Sequence, residues 1–399
     1  MFEDGTQTVL VKQKIEMYIT PDDIFDAVYE YIKTAKKLES TNIFKENLKK
    51  YLKKKNPGID YNLMDDSSLR KELSKRYKSA GIVEPKSVRD NWLNGVRPEL
   101  SQDNRKNMYN FCIAMGMNVE ETKEFFLKTF WTIPFNYKDV NDAIYYYGIS
   151  NKKEYKDIEK LREDIEKIVD KKVSYEGNDN KETQRIRMDI SDIHDDAVFK
   201  EYIINNHINS KKSFRTAQKI ILDSLKKDKE LAKKEFELYQ KEIKLLYKDK
   251  AASKKFINED SEEVIDELLN WIFVGWSGKG ISLNEIEGLP EGFKRGFPRA
   301  MELSNIKNDK ASPDVCRKAL IVLKFYEFFG NILFKDHIIQ RDEEEIKEDF
   351  CDFHTELCEN LDESGFVQLY YRNPFDWVIL FCARQENPID VFRQCLSGE

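Results

Sequence analysis

The stretch Pro85–Phe126, PKSVRDNWLNGVRPELSQDNRKNMYNFCIAMGMNVEETKEFF, decides the fold. Its punctuation is that of short helices. Pro85 suits a first helical position, where a missing N–H leaves no hydrogen bond unmade, and Gly95 suits a left-handed stop after Trp92-Leu93-Asn94. Ser101 is a cap for a second helix, which Gly116 ends. Asn118 caps a third, with Glu121 three positions on as its capping-box partner. The first of these helices carries Lys86, Ser87, Arg89 and Asn91 on the side read as outward, braced by Trp92. A helix fits the major groove of duplex DNA. Arg pairs there with guanine and Asn with adenine, each through two hydrogen bonds. The expected role of this helix is therefore to read base edges.

Working outward, the same punctuation continues. Thr20-Pro21-Asp22-Asp23 opens a helix after a short arm or strand at Thr6–Val11. A helix near residues 42–55 has the apolar set Phe44, Leu48, Tyr51 and Leu52 and ends at Asn56-Pro57-Gly58. Another spans about 67–79 and stops at Gly81. Ile158, Leu161, Ile165 and Ile168 recur at spacings of three and four, which reads as an amphipathic arm or coiled-coil segment over 151–172. Ser174–Asn180 is the best linker, and a long charged helix follows over about 211–247. Near the C-terminus Asn373-Pro374-Phe375-Asp376 and Asn387-Pro388-Ile389-Asp390 give one helix-start signal twice. Period-two alternation is scarce. The expected fold is mainly α. An N-terminal helical domain (1–150) holds a helix-turn-helix-like unit at about 67–130, a charged arm and long-helix region occupies 151–260, and a C-terminal helical domain, larger than that unit, fills 261–399.

At Trp92-Leu93-Asn94-Gly95 the chain resembles the lambda-repressor/Cro-like helix-turn-helix family. Members often end their recognition helix in Trp-Glu-x-Gly, then run through a polar turn and a helix to a phrase like Ala-Leu-Gly before another capped helix. The counterparts here are Ser87–Trp92, Gly95 to Pro98, and Ile113-Ala114-Met115-Gly116-Met117-Asn118, with Leu93 in place of the usual Glu. The resemblance implies that Lys86, Ser87, Arg89 and Asn91 face the groove. Lys71, Lys75, Arg97, Arg105 and Lys106 would then hold phosphates, which fixes register without reading sequence. A related punctuation recurs at Pro298–Lys318: Pro298 answers Pro85, Ser312-x-Asp314 answers Ser101-x-Asp103, and Arg317-Lys318 answers Arg105-Lys106. It reads either as a second, diverged unit or as a coincidence of helical stops.

Charge distribution fits a local polyanion site. The chain of 399 residues carries a net charge of −7, which argues against indiscriminate coating of nucleic acid. Yet Tyr31–Asn110 holds 19 Lys/Arg against 10 Asp/Glu, a basic island in an acidic chain. Asp342–Glu363 holds eleven acids and one Lys, which suits a solvated face or a basic protein partner. The expected partners are double-stranded DNA, or RNA, and a protein met through that acidic region.

Other chemistries find little footing. Six cysteines are scattered without a C-x-x-C pair, as in a reducing compartment. Cys351, His354 and Cys358 share a helix face but flank the apolar row Phe350, Phe353, Leu357, and three ligands on one helix splay along its axis. The acids Asp189–Asp196 fit a helix start as well as a cation. Gly275–Gly280 lacks the spacing of a phosphate loop. No cofactor, metal or catalytic role is expected. The opening MFEDGTQTVLVKQ lacks the apolar core of a secretory signal, and no run reaches membrane-spanning length, so a cytoplasmic protein is expected.

Overall fold

The computed structural model describes residues 42–96, 102–169, 183–206, 208, 215–247, 264–274, 291–294, 296–308, 310–335, 341–370 and 372–397. Among them every regular element is a helix. The expected arm at 6–11, the helix opening at Thr20, the linker at 174–180 and the glycine-rich turn at 275–280 lie outside the described residues. So does Arg97. The chain divides into two compact units, one spanning 42–215 and the other holding the described residues from 216 onward.

The first unit begins with α1 (Ile43–Lys55), where the Asn42 side chain accepts from Lys45 N at 3.0 Å. Its buried row, Phe44, Leu48, Tyr51 and Leu52, repeats at helical spacing, and Lys53, Lys54 and Lys55 sit at the negative end of its dipole. Helix α2 (Asp66–Ser79) buries Leu69, Leu73 and Tyr77 and gives way to Gly81 at φ +70°, a conformation that favours glycine. Helix α3 (Lys86–Leu93) follows, with Pro85 at the cap position, one residue earlier than the sequence suggested. Helices α4 (Gln102–Met115) and α5 (Val119–Phe125) come next, and the Asn118/Glu121 capping box forms as expected. A π-type turn, Phe126–Phe130, extends α5. The core is aromatic: Trp92 lies 5.2 Å from both Phe44 and Phe130, and Phe111 lies 5.0 Å from Phe125. Each such ring pair contributes about 0.5–1.5 kcal/mol beyond its buried area.

Helices α6 (Val140–Ser150), α7 (Tyr155–Val169), α8 (Thr183–Ser191) and α9 (Asp196–Asn205) complete this unit. Residue 150 is not a boundary, because Tyr147 stacks on Phe199 at 4.0 Å and its hydroxyl donates to Asp196 at 2.9 Å. The segment read as an amphipathic arm or coiled-coil segment is α7, whose Ile158, Leu161 and Ile165 are buried within this unit. An apolar stripe of that width seeks a partner, and α6 supplies one. Gly148 permits the close approach: a Cβ there would lie 2.5 Å from Ile158 Cδ1.

The second unit comprises α10 (Arg215–Tyr247, its first residue assigned to the other unit), α11 (Val264–Val274), α12 (Glu291–Lys294), α13 (Ala300–Lys307), α14 (Pro313–Lys335), α15 (Glu343–Glu363), α16 (Pro374–Ala383) and α17 (Pro388–Ser397). Helix α10 thus belongs with the C-terminal helices rather than with an intermediate region. Buried polar groups tie it in. Glu235 of α10 accepts from Arg393 at 2.6 Å, Trp271 Nε1 at 2.9 Å and the Tyr326 hydroxyl at 2.7 Å. Helix α16 is buried along its whole length. Among the described residues no helix is long and apolar enough to cross a membrane.

Candidate nucleic-acid interface

Helices α2 and α3 carry the charge that the sequence marked. They are joined by residues 80–85. Lys71 and Lys75 are exposed on α2, and Lys86, Ser87 and Asn91 are exposed on α3, as expected. Lys78 is exposed as well, and the sequence reading missed it. The spacing 71, 75, 78 places all three lysines on one side of a helix, so the signal was present. None of these four lysines has an ion pair among the described residues.

Arg89 departs from expectation. It is only 8% exposed. Its guanidinium donates to Glu84 Oε1 at 2.6 Å, to Ser74 Oγ at 3.0 Å and to Asp90 Oδ1 at 3.0 Å. Arg70 donates to the same Asp90 oxygen at 2.9 Å, and Ser74 Oγ donates to Glu84 at 2.8 Å. Burial opposes the Arg89 charge, yet the hydrogen bonds to Glu84 and Asp90 hold its pKa above the ordinary value. The Asp90 carboxyl is held below its ordinary range, chiefly by the bond from Arg70. The inward turn has a geometric cause. Arg89 precedes Trp92 by three and Leu93 by four, so it shares their buried face. It fastens α2, the connection and α3 together.

Arg105 and Lys106 are also engaged within the protein. Arg105 Nε donates to Asp142 Oδ1 at 2.8 Å and Nη2 donates to the Ile133 carbonyl at 2.8 Å. The guanidinium lies over the Tyr109 and Phe126 rings at 5.7 and 5.9 Å. Its position three before Met108 and four before Tyr109 turns it inward, as for Arg89. Lys106 pairs with Glu159 at 2.7 Å. The neighbouring cleft of about 140 Å³ is lined by Arg105, Lys106 and Asp142 together with Tyr145, Arg162 and Glu166. Arg162 in turn pairs with Glu159 and Glu166.

Asp195 caps α9 by accepting from Ala197 N at 2.9 Å and Val198 N at 3.0 Å, and Asp196 pairs with Lys153 at 2.8 Å. His354 Nε2 lies 3.8 Å from Cys358 Sγ, and burial draws the imidazole pKa below its ordinary value. Cys351, the third member of that row, is exposed. Among the described residues no group of three or more His, Cys, Asp or Glu side chains comes together to hold a metal ion. No family model, curated protein or solved structure matches this chain.

Proposed function

We propose that this protein is a cytoplasmic regulator that binds double-stranded DNA through the outer faces of α2 and α3, in the manner of a helix-turn-helix unit. The observation that carries this reading is a set of exposed lysines with no ion pair among the described residues, Lys71, Lys75 and Lys78 along one side of α2 and Lys86 on α3, with Ser87 and Asn91 also exposed on α3. The lysines neutralise phosphates, and the two polar side chains meet base edges. Arg89 and Arg105, which the sequence offered as a base reader and a phosphate contact, are engaged with Glu84, Asp90 and Asp142 within the protein and are left out of this reading.

The test is fluorescence anisotropy of a labelled mixed-sequence duplex, titrated with the full chain over a series of salt concentrations. Each phosphate contact contributes roughly 0.9 to the slope of log K against log salt. The triple variant Lys71→Glu/Lys75→Glu/Lys86→Glu is expected to lower that slope by about 3. An unchanged slope and affinity would remove the reading.

A second reading, a non-catalytic adaptor, rests on α15. Its exposed side carries Glu343, Glu344, Glu348, Asp352, Glu359 and Asp362 against a single exposed Lys347, a strongly acidic surface suited to a basic protein partner. Co-purification that survives nuclease and yields protein but no nucleic acid favours the adaptor.

A further inference from the structure

The two units repeat one device. In the first, Arg105 in the first turn of α4 clamps Asp142, the third residue of α6, three after its cap Asp139. In the second, Arg317 near the start of α14 clamps Asp376, the third residue of α16, three after its cap Asn373. Both carboxylates are almost fully buried, at 2% and 0% exposed. The backbone around them corresponds position by position. Asn136 N and Tyr370 N, each six residues before the aspartate, donate to it at 2.8 Å. Ile133 and Val367, each nine before it, accept from the arginine at 2.8 and 3.0 Å.

The correspondence extends along the chain. A capping box opens the helix after each arginine helix, Asn118/Glu121 on α5 and Asp342/Glu345 on α15. Residues 151–154 link α6 to α7, and residues 384–387 link α16 to α17. Each closing helix returns onto its predecessor, Ile158 beside Gly148 and Cys395 Sγ 4.0 Å from Cys382 Sγ. Upstream, α3 and α13 end alike. Val96 N donates to Asn91 O at 2.9 Å and Lys310 N donates to Asn305 O at 2.8 Å. The segments Asn91-Trp92-Leu93-Asn94 and Asn305-Ile306-Lys307-Asn308 align across these bonds, with Trp92 and Ile306 buried. Five helices therefore recur in one order, and a chance match of helical stops does not generate a shared arginine–aspartate–carbonyl arrangement.

We infer that α13 is the counterpart of α3 in a second copy of the module, and that its outer face is a second phosphate-contacting surface. Residues 294–310 hold five Lys/Arg against two Asp/Glu, a local excess of positive charge in an acidic half of the chain. Arg299, Lys307 and Lys310 are exposed at the two ends of α13. Neither Arg299 nor Lys310 has an ion pair among the described residues. The face has no exposed Arg or Asn set in the places of Ser87 and Asn91, since Met301 and half-buried Asn305 stand there, so it grips backbone and reads little sequence.

This inference rests on the nucleic-acid reading above, and one titration separates the two. The full chain, the α2–α3 triple variant and Arg299→Glu/Lys310→Glu are compared on the labelled mixed-sequence duplex across salt. The double variant is expected to lower the slope of log K against log salt by about 2, independently of the triple variant. A double variant that keeps the parent's slope and affinity while the triple variant loses both overturns the second surface and leaves the first. Parent-like binding by both variants overturns both. Loss of self-association by sedimentation, with an unchanged slope, makes α13 a chain–chain contact and also overturns the phosphate assignment. Thermal melts accompany each variant. Should the double variant melt early, Arg299→Gln/Lys310→Gln replaces it under the same criteria.

Discussion

Arg89 shows how a residue type misleads when its register is ignored. Arginine beside Ser and Asn reads as a groove contact, yet its offset of three and four from Trp92 and Leu93 places it on their face. The information was in the spacing, whereas the acceptors Glu84 and Ser74 become neighbours only once α2 and α3 pack. Removing one member of a buried ion pair costs about 3–5 kcal/mol, so Arg89→Met is expected to lower the urea-unfolding free energy by roughly that amount. Lys86→Glu, at an exposed site, should change it by no more than about 0.5 kcal/mol. Equal effects of the two substitutions would contradict the clamp. Asp228 supplies a second case. It is fully buried, and neither carboxylate oxygen has a hydrogen-bond partner. Burial, then the Glu327 charge, pushes its pKa well above the ordinary range. The unfolded side chain ionises near about 3.9, so above that pH the folded state retains a proton that the unfolded state has shed. Stability from this group is therefore full at low pH and lost as pH rises. Asp228→Asn removes the dependence. Its melting temperature relative to the parent is expected to increase between pH 5 and pH 8, and a constant difference would refute the account.

At the level of elements, helix starts were legible and partners were not. Caps are local: Asn118 with Glu121, and Asn373 before Pro374, act within four residues, so the sequence alone locates them. The amphipathic stripe of α7 was equally plain, but a stripe states only that something covers it. That α6 is the cover depends on Gly148, whose lack of a side chain lets Ile158 approach. Gly148→Ala is expected to cost about 1–3 kcal/mol through overpacking. Combining it with Ile158→Ala should cost less than the sum of the two single changes, because the second removes the atoms the first strikes. Strict additivity in chemical denaturation would show that the helices do not meet there. The π-type turn at Phe126–Phe130 has no local signature in the sequence, since aromatic packing around Phe130 supports it.

On the scale of the whole molecule, the mainly helical character was written in the punctuation, while the division into units was not. Composition suggested breaks at residues 150 and 260; packing draws the line near 215, because buried contacts such as Tyr147 on Phe199 and Glu235 with Arg393 ignore shifts in surface charge. With a separate core and a separate buried clamp in each unit, heat is expected to produce two calorimetric transitions. Arg105→Met should shift one of them and Arg317→Met the other; a single transition moved equally by both would oppose the division. Cys351 also has a practical consequence. It is exposed on the acidic helix while Cys112, Cys316, Cys358, Cys382 and Cys395 are buried. A thiol-reactive dye added to the native chain therefore marks a single spot among the carboxylates of α15, giving an optical beacon whose anisotropy rises when a cationic visitor docks beside it, with no engineered cysteine required.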